Sequence, residues 1–196
     1  RTIVKYFIVS KLIVISGPSG VGKTSIVHHI LSGRKDLLFS VSVCSREKRE
    51  TEIDGKDYYF LGVDDFQKKI KDNAFLEWEE VYPNQFYGTL KSEIKRIWEN
   101  GKHVIFDVDV IGGLKIKKKY SKRCLAIFVM PPSVEILGKR LSCRRSETNA
   151  SIEKRLAKAE EEIGKNKLFD QIILNENFDI VCEKVMEVVK KFINLR

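Results

Sequence analysis

The apolar run Leu12-Ile13-Val14-Ile15 leads, through Ser16, into Gly17-Pro18-Ser19-Gly20-Val21-Gly22-Lys23-Thr24. The octapeptide fits G-x-x-x-x-G-K-[ST], and no other feature of the chain restricts its fold as strongly. Such a loop works only between a buried strand and a helix, because backbone amides and the dipole at the helix start hold the phosphates. Both neighbours are predicted. The apolar run reads as a buried strand, and Ile26, Val27, Ile30 and Leu31 recur at helical spacing. The loop therefore predicts a bound nucleoside triphosphate, with Ser19, Gly20, Val21, Gly22, Lys23, Thr24 and Ser25 around its phosphates. Lys23 would reach the outer phosphates and Thr24 would hold magnesium. A ligand-free glycine turn is the plainer alternative.

Further short apolar runs follow at Val104 to Val110, Leu125 to Met130 and Ile172 to Leu174, separated by segments of helical period. This alternation predicts an α/β fold, a central parallel sheet covered by helices on both faces. About 88 residues separate the first two runs, more than one crossover helix needs, so an insertion is expected there. Within it, Phe39-Ser40-Val41-Ser42-Val43 alternates as a strand, and Tyr58-Tyr59-Phe60-Leu61 has strand composition. Helices are predicted from Asp64 to Ile70 and from Lys91 to Trp98. A second, charged insertion from Ser133 to about Lys167 carries Arg140, Arg144, Arg145 and Arg155.

At 196 residues and 43% hydrophobic, the chain suits one domain with insertions. Its formal charge of +9 favours anionic partners. The one dense basic run, Lys115 to Arg123, has no aromatic stacking pattern and reads as a solvated helix end, so nucleic acid is not expected. Cys44, Cys124, Cys143 and Cys182 are scattered, which predicts reduced thiols and a cytoplasmic setting. Thr2 to Val9 is apolar but is flanked and interrupted by Lys5 and Lys11, and no run reaches membrane-spanning length. The chain opens on Arg1, which leaves its true start open.

Arg46-Glu47-Lys48-Arg49 sets two guanidinium groups three residues apart, a spacing suited to paired hydrogen bonds with one phosphate. Tyr58 and Tyr87 can add hydroxyl donors. The simpler reading makes these arginines surface ion-pair partners of Glu47, Glu50 and Glu52. Asp107 and Asp109 stand two apart on a predicted strand and would project to one face, where paired acids need a cation or a partner.

From Leu12 onward the chain resembles the guanylate kinases. The resemblance is carried by Gly17-Pro18-Ser19-Gly20, Phe39-Ser40-Val41-Ser42, Arg46-x-x-Arg49, Gly55-Lys56-Asp57-Tyr58 and Phe75-Leu76-Glu77-Trp78. It continues through Tyr87-Gly88-Thr89, Phe106-Asp107-Val108-Asp109, Pro131-Pro132-Ser133, Arg140-Leu141, Arg144, Ser151 to Leu156, and Asn175. It implies a phosphate-loop three-layer fold with a mixed α/β GMP-binding insertion at about 41–90 and a helical lid at about 133–165 on a core of about 12–40, 91–132 and 166–196. It also implies transfer of the γ-phosphoryl group of ATP to GMP or dGMP, with magnesium, by a monomer or homodimer.

By position, Arg46, Arg49, Tyr58 and Tyr87 would grip the GMP phosphate, and Ser42, Glu77, Thr89 and Asp109 would form the guanine pocket. The chemistry agrees, since an ionised carboxylate accepts from both the ring N–H and the exocyclic amine of guanine, whereas adenine leaves it unpaired. The resemblance puts Asp107 beside magnesium and the transferring phosphate, Lys23 with Arg46, Arg140, Arg144 and Arg155 around that phosphate, and Asn175, with Arg144, at the ATP site. Departures occur at Val43-Cys44-Ser45, at Thr51, in the longer loop Pro83-Asn84-Gln85, and at Arg145. Two rivals remain at this stage: an inactive interaction module of the same fold, and a kinase of another nucleoside monophosphate.

Overall fold

A computed structural model describes residues 10–143 and 149–195. Its centre is β1 (Leu12–Ser16), whose five residues are all buried. A strand buried on both faces must be flanked on both edges and covered above and below. The loop after it leads to α1 (Lys23–Gly33), β2 (Leu37–Phe39), β3 (Ser42–Cys44), β4 (Tyr58–Phe60), α2 (Val63–Lys71), β5 (Phe75–Tyr82) and β6 (Gln85–Leu90). Then come α3 (Lys91–Glu99), β7 (His103–Asp107), α4 (Val110–Tyr120), β8 (Cys124–Met130), α5 (Val134–Ser142), α6 (Asn149–Gly164), β9 (Gln171–Leu174) and α7 (Phe178–Asn194).

The five-stranded sheet runs β2-β7-β1-β8-β9, and every pairing in it is parallel. Alternation along β1 divides the core into the predicted three layers. Ile13 and Ile15 pack with Ile26, Ile30, Val181 and Val185 from α1 and α7, while Leu12 and Val14 pack with Ile94, Ile97 and Ile116 from α3 and α4. Registers Ile15↔Asp107 and Ser16↔Phe128 bring the carboxyl ends of β7, β1 and β8 to one edge. The cleft lies at that edge.

The second sheet, in order β4-β3-β6-β5, mixes one parallel pair, β3 with β4, with antiparallel pairs to β6. Here the predicted strand over residues 39–43 needs correction, because it splits between the two sheets. The Ser40 amide still donates to Ile105 O of β7 at 3.0 Å, whereas the Val41 amide donates to Oε2 of buried Glu93 on α3 at 3.1 Å. Period-two alternation continues through such a crossover and does not mark it. The long hairpin of β5 and β6 has no counterpart among the predicted strands, because Glu77, Glu79 and Glu80 interrupt the apolar pattern there. It turns through Pro83 and Asn84, the latter at φ 59°, and Glu80 Oε1 accepts from the Asn84 amide at 2.8 Å.

A further correction concerns Asp109. The apolar run from Val104 to Val110 is not one strand: β7 stops at Asp107, and Asp109 caps α4, its carboxylate accepting from the Gly112 amide at 2.9 Å. Apolar residues on either side of the cap hid the boundary. In the second insertion, Ser133 caps α5 in the same manner. The four cysteines are free thiols, and no helix among the described residues is long and apolar enough to cross a membrane.

The second sheet has its own small core of Val43, Phe66, Phe75 and Phe86, with the Phe66 and Phe75 rings stacked at 4.4 Å. Phe66→Ala should therefore destabilise the protein by about 3–5 kcal/mol. Urea denaturation should show this as a lower midpoint, and an unchanged midpoint would show that this cluster contributes nothing to cooperative stability.

Candidate active site

The loop after β1 turns through Gly17 at φ 141° and Gly22 at φ 100°, conformations that favour glycine. Space excludes other residues as well: a Cβ on Gly17 would stand 2.4 Å from Val129 O, and one on Gly22 would stand 2.9 Å from Asn175 Nδ2. Helix α1 begins at Lys23, so Lys23, Thr24 and Ser25 form its first turn, whose amides have no acceptor within the helix. Lys23 Nζ donates to the loop carbonyls of Gly17 and Pro18 at 2.8 and 3.2 Å. Thr24 Oγ1 donates to Asp107 Oδ2 at 2.5 Å, joining the start of α1 to the end of β7.

This loop forms one wall of a cleft of about 590 Å³ whose opposite wall is the second sheet. Ser19, Gly20, Gly22, Lys23, Thr24 and Ser25 line it from the loop and α1. From the second sheet come Ser42, Tyr58, Glu77 and Tyr87, from the segment joining β3 to β4 come Arg46 and Arg49, and from the end of β7 and the cap of α4 come Asp107 and Asp109. Arg155 closes one side from α6, its Nη1 donating to Ser19 Oγ at 2.9 Å. The sequence thus nominated residues from four separate regions that the fold brings to one cavity.

Four nominated residues do not line it. Val21 turns its side chain into the core, and its amide donates to Pro18 O. Asn175 is buried behind the loop, where Nδ2 donates to Val21 O at 2.7 Å. Arg140 donates to Asn175 O at 3.2 Å. Thr89 is fully buried opposite Glu77 in the β5–β6 register, with its hydroxyl beside that carboxylate. Arg144 and Arg145 lie outside the described residues.

The arginine pair is held from inside the cleft. Arg46 makes a bidentate pair with Glu52 at 2.6 and 2.7 Å, and its Nε donates to Tyr87 Oη at 3.0 Å. Arg49 Nη1 lies 3.8 Å from the same carboxylate. The ion-pair reading of these arginines is met in part, although the Arg46 and Glu52 side chains are each only 13% exposed. Burial raises the Tyr58 and Tyr87 phenols, so both remain hydrogen-bond donors at neutral pH.

Glu77 is 7% exposed and accepts no hydrogen bond from a backbone amide of the described residues. Gly112 admits it against α4: a Cβ there would stand 2.8 Å from Glu77 Oε2. Burial pushes its carboxyl up to about 7; the Thr89 hydroxyl draws it down, the Asp109 charge raises it and the Lys115 ammonium lowers it. A second cleft carboxyl, Glu162 on α6, is also pushed up to about 7 by burial, against the pull of Lys23 and Lys158. Sequence reasoning missed Glu162, and Glu52 appeared only as a surface partner. The spacing of Arg155, Lys158 and Glu162 was the available signal, since it sets all three on one helical face.

A phosphate loop at the end of the central parallel strand, facing an arginine pair and a buried acid across one cleft, defines a P-loop phosphotransferase with a second anionic substrate. The family model for guanylate kinase matches residues 9–192. Guanylate kinase of Porphyromonas gingivalis is 45% identical over 185 residues, covering 94% of this chain and 98% of that protein. That of Bacteroides thetaiotaomicron is 45% identical over 184 residues, covering 94% and 90%. The crystal structure of guanylate kinase from Anaplasma phagocytophilum superposes with a TM-score of 0.76 at 26% identity, covering 96% of this chain and 88% of that one. The chain belongs to the guanylate kinase family.

The raised Glu77 carboxyl has a consequence for stability. Its folded value of about 7 lies above the ordinary 4.5, so the stability it contributes is fully present below pH 4.5 and is lost as pH rises towards 7. Glu77→Gln should therefore melt at a higher temperature than the unmodified protein above pH 7 and at the same temperature near pH 4.5. Parallel melting curves at every pH would show that burial does not govern this carboxyl.

Proposed function

We propose that the cleft binds ATP on the phosphate loop and GMP or dGMP on the second sheet, and that the γ-phosphoryl group passes between them. The observation that carries this reading is a buried carboxylate, Glu77, in the same cavity as the Arg46–Arg49 pair and the phosphate loop. An acceptor-only group suits the ring N–H and amine of guanine, and the Thr89 hydroxyl lies beside it. Ser42 and Asp109 complete the base pocket, while Arg46, Arg49, Tyr58 and Tyr87 take the acceptor phosphate.

A GMP phosphate oxygen attacks the γ-phosphorus, the bond to the β,γ-bridging oxygen breaks, and the electron pair leaves with ADP. Catalysis rests on alignment and on charge placed around the phosphoryl group in flight. Lys23 leaves the Gly17 and Pro18 carbonyls for the phosphates. Arg155, with Arg140 and Arg144 from the same insertion, supplies further positive charge as the lid closes and water is excluded. Asn175, buried at Val21 O and close to Gly22, supports the loop at the ATP site from behind.

Thr24 and Asp107 fit magnesium. A hydroxyl and a carboxylate lie side by side at the loop, and this hard cation needs only one or two protein oxygens when phosphates and water complete its shell. It would neutralise charge on the β- and γ-phosphates. Thr24 and Asp107 are the side chains that would hold the ion.

We divide the chain into a core at about 12–40, 91–132 and 166–196, an acceptor insertion at about 41–90 and a lid at about 133–165. Free buried thiols suit a reducing cytoplasm. The cleft is assembled from one chain, so the reading serves a monomer or a homodimer equally. Lys23, Thr24, Asp107 and Arg155 all stand in the cleft, which leaves the inactive-module alternative without support.

A coupled ADP-release assay offering GMP, dGMP, AMP, CMP and UMP should show turnover with the guanine nucleotides, and equal turnover of AMP would overturn the assignment. Glu77→Ala should lower kcat/KM for GMP by about 100-fold or more while ATP binding stays near normal. Guanine requires the ionised acid, so KM for GMP should fall as pH is raised towards about 7 and level off above it. A profile flat across neutrality would argue against Glu77 as the acceptor.

A further inference from the structure

Arg155, Lys158 and Glu162 share the face of α6 that looks into the cleft. Arg155 reaches Ser19 of the phosphate loop, and its guanidinium lies 5.8 Å from the Tyr82 ring centroid. Lys158 reaches the opposite wall. Its Nζ donates to Val81 O at 3.1 Å and lies 5.1 Å from the centroid of the same Tyr82 ring. Behind it, Glu162 Oε1 stands 4.0 Å away, with the residue only 6% exposed. Val81 and Tyr82 end β5, the strand that carries Glu77. A single helix face therefore touches the donor loop through one residue and the acceptor strand through the next.

We propose that Lys158 is a positioning residue that couples the two substrate sites, clamping the end of β5 to α6 so that GMP seated at Glu77 fixes Arg155 over the phosphate loop. The inference rests on the assignment of the cleft to GMP and ATP. Lysine suits the task chemically. A compact ammonium with three donors can serve a backbone carbonyl, a carboxylate and the face of an aromatic ring from one point. The contacts join segments 77 residues apart and exist only while α6 lies against the hairpin. Acceptor binding that orders the hairpin therefore favours the arrangement in which Arg155 meets the loop. By linkage, each nucleotide tightens the other by the same factor.

The test measures affinity for a non-hydrolysable ATP analogue with and without saturating GMP, together with steady-state kinetics. In the unmodified protein, GMP should tighten the analogue roughly fivefold or more. In Lys158→Met this factor should fall towards one and kcat should drop about tenfold, with analogue affinity in the absence of GMP changed less than about twofold. Lys158→Arg, which keeps the charge and donors, should recover most of the coupling. Tyr82→Ala should also lower the coupling, and the double variant should lose less than the product of the single losses, since the two changes share the Lys158–Tyr82 contact. Unchanged thermal melting of the variants shows that the fold is kept.

Full coupling and kcat in Lys158→Met would overturn the proposal. A double-variant loss equal to the product of the single losses would overturn it too, as would an unmodified protein that phosphorylates GMP yet binds the analogue equally with and without it. Absence of GMP-dependent ADP release from the unmodified protein would instead remove the assignment of the cleft.

Discussion

Everything at the cleft hangs from the carboxyl end of β1. That strand is buried on both faces and paired in parallel on both edges, so its position is set by the whole core. Parallel pairing brings the ends of β7 and β8 to the same edge. Asp107 arrives beside Thr24 through the β1–β7 register, and Val129 O presses on Gly17 from β8. The loop is then braced from behind by Asn175, which follows β9 and reaches Val21 O. A phosphate cradle must be rigid before the ligand arrives, because donors that have to be ordered on binding lose much of their worth.

The second constraint is charge. Arginine and lysine side chains gather on the cleft walls before any phosphate is bound, and their repulsion is moderated by acids placed among them. Glu52 holds Arg46 in a bidentate pair and lies near Arg49, so both guanidinium groups are oriented within the cleft. Lys23 rests on loop carbonyls within the pull of Glu162. These contacts are exchangeable: a phosphate offers an arginine or lysine the same charge-assisted hydrogen bonds that it gives up. The buried Glu77 differs: among the described residues it forms no ion pair, and burial, outweighing the pull of Lys115, favours its proton.

Much of this arrangement was legible in the chain. The apolar runs marked the core strands, and Gly17 to Thr24 marked the loop after the central one. Arg46, Arg49 and Glu77 stood out once the ordered motifs around them were taken together. Less legible were boundaries that alternation cannot reveal. Residues 39–43 carry one unbroken pattern, yet Ser40 bonds to the first sheet and Val41 to α3 before β3 joins the second. Asp109 sat within an apolar run and proved to be a helix cap. Glu79 and Glu80 concealed a strand because a half-exposed hairpin tolerates acids on it: Glu80 is exposed, and Glu79, on the opposite face, pairs with Lys115.

By itself, the sequence determined which groups are present and the local conformations they demand: glycines where φ is positive, an apolar strand, a helix start at Lys23, and a donor and acceptor inventory suited to two nucleotides. Those properties follow from steric and chemical rules that act over a few residues. Tertiary structure alone decided that Glu52 holds Arg46, that Asn175 stands beneath the loop, and that Lys158 of α6 meets Val81 and Tyr82 of β5. Each of these contacts joins surfaces whose facing depends on the packing of whole elements, and no spacing along the chain encodes that.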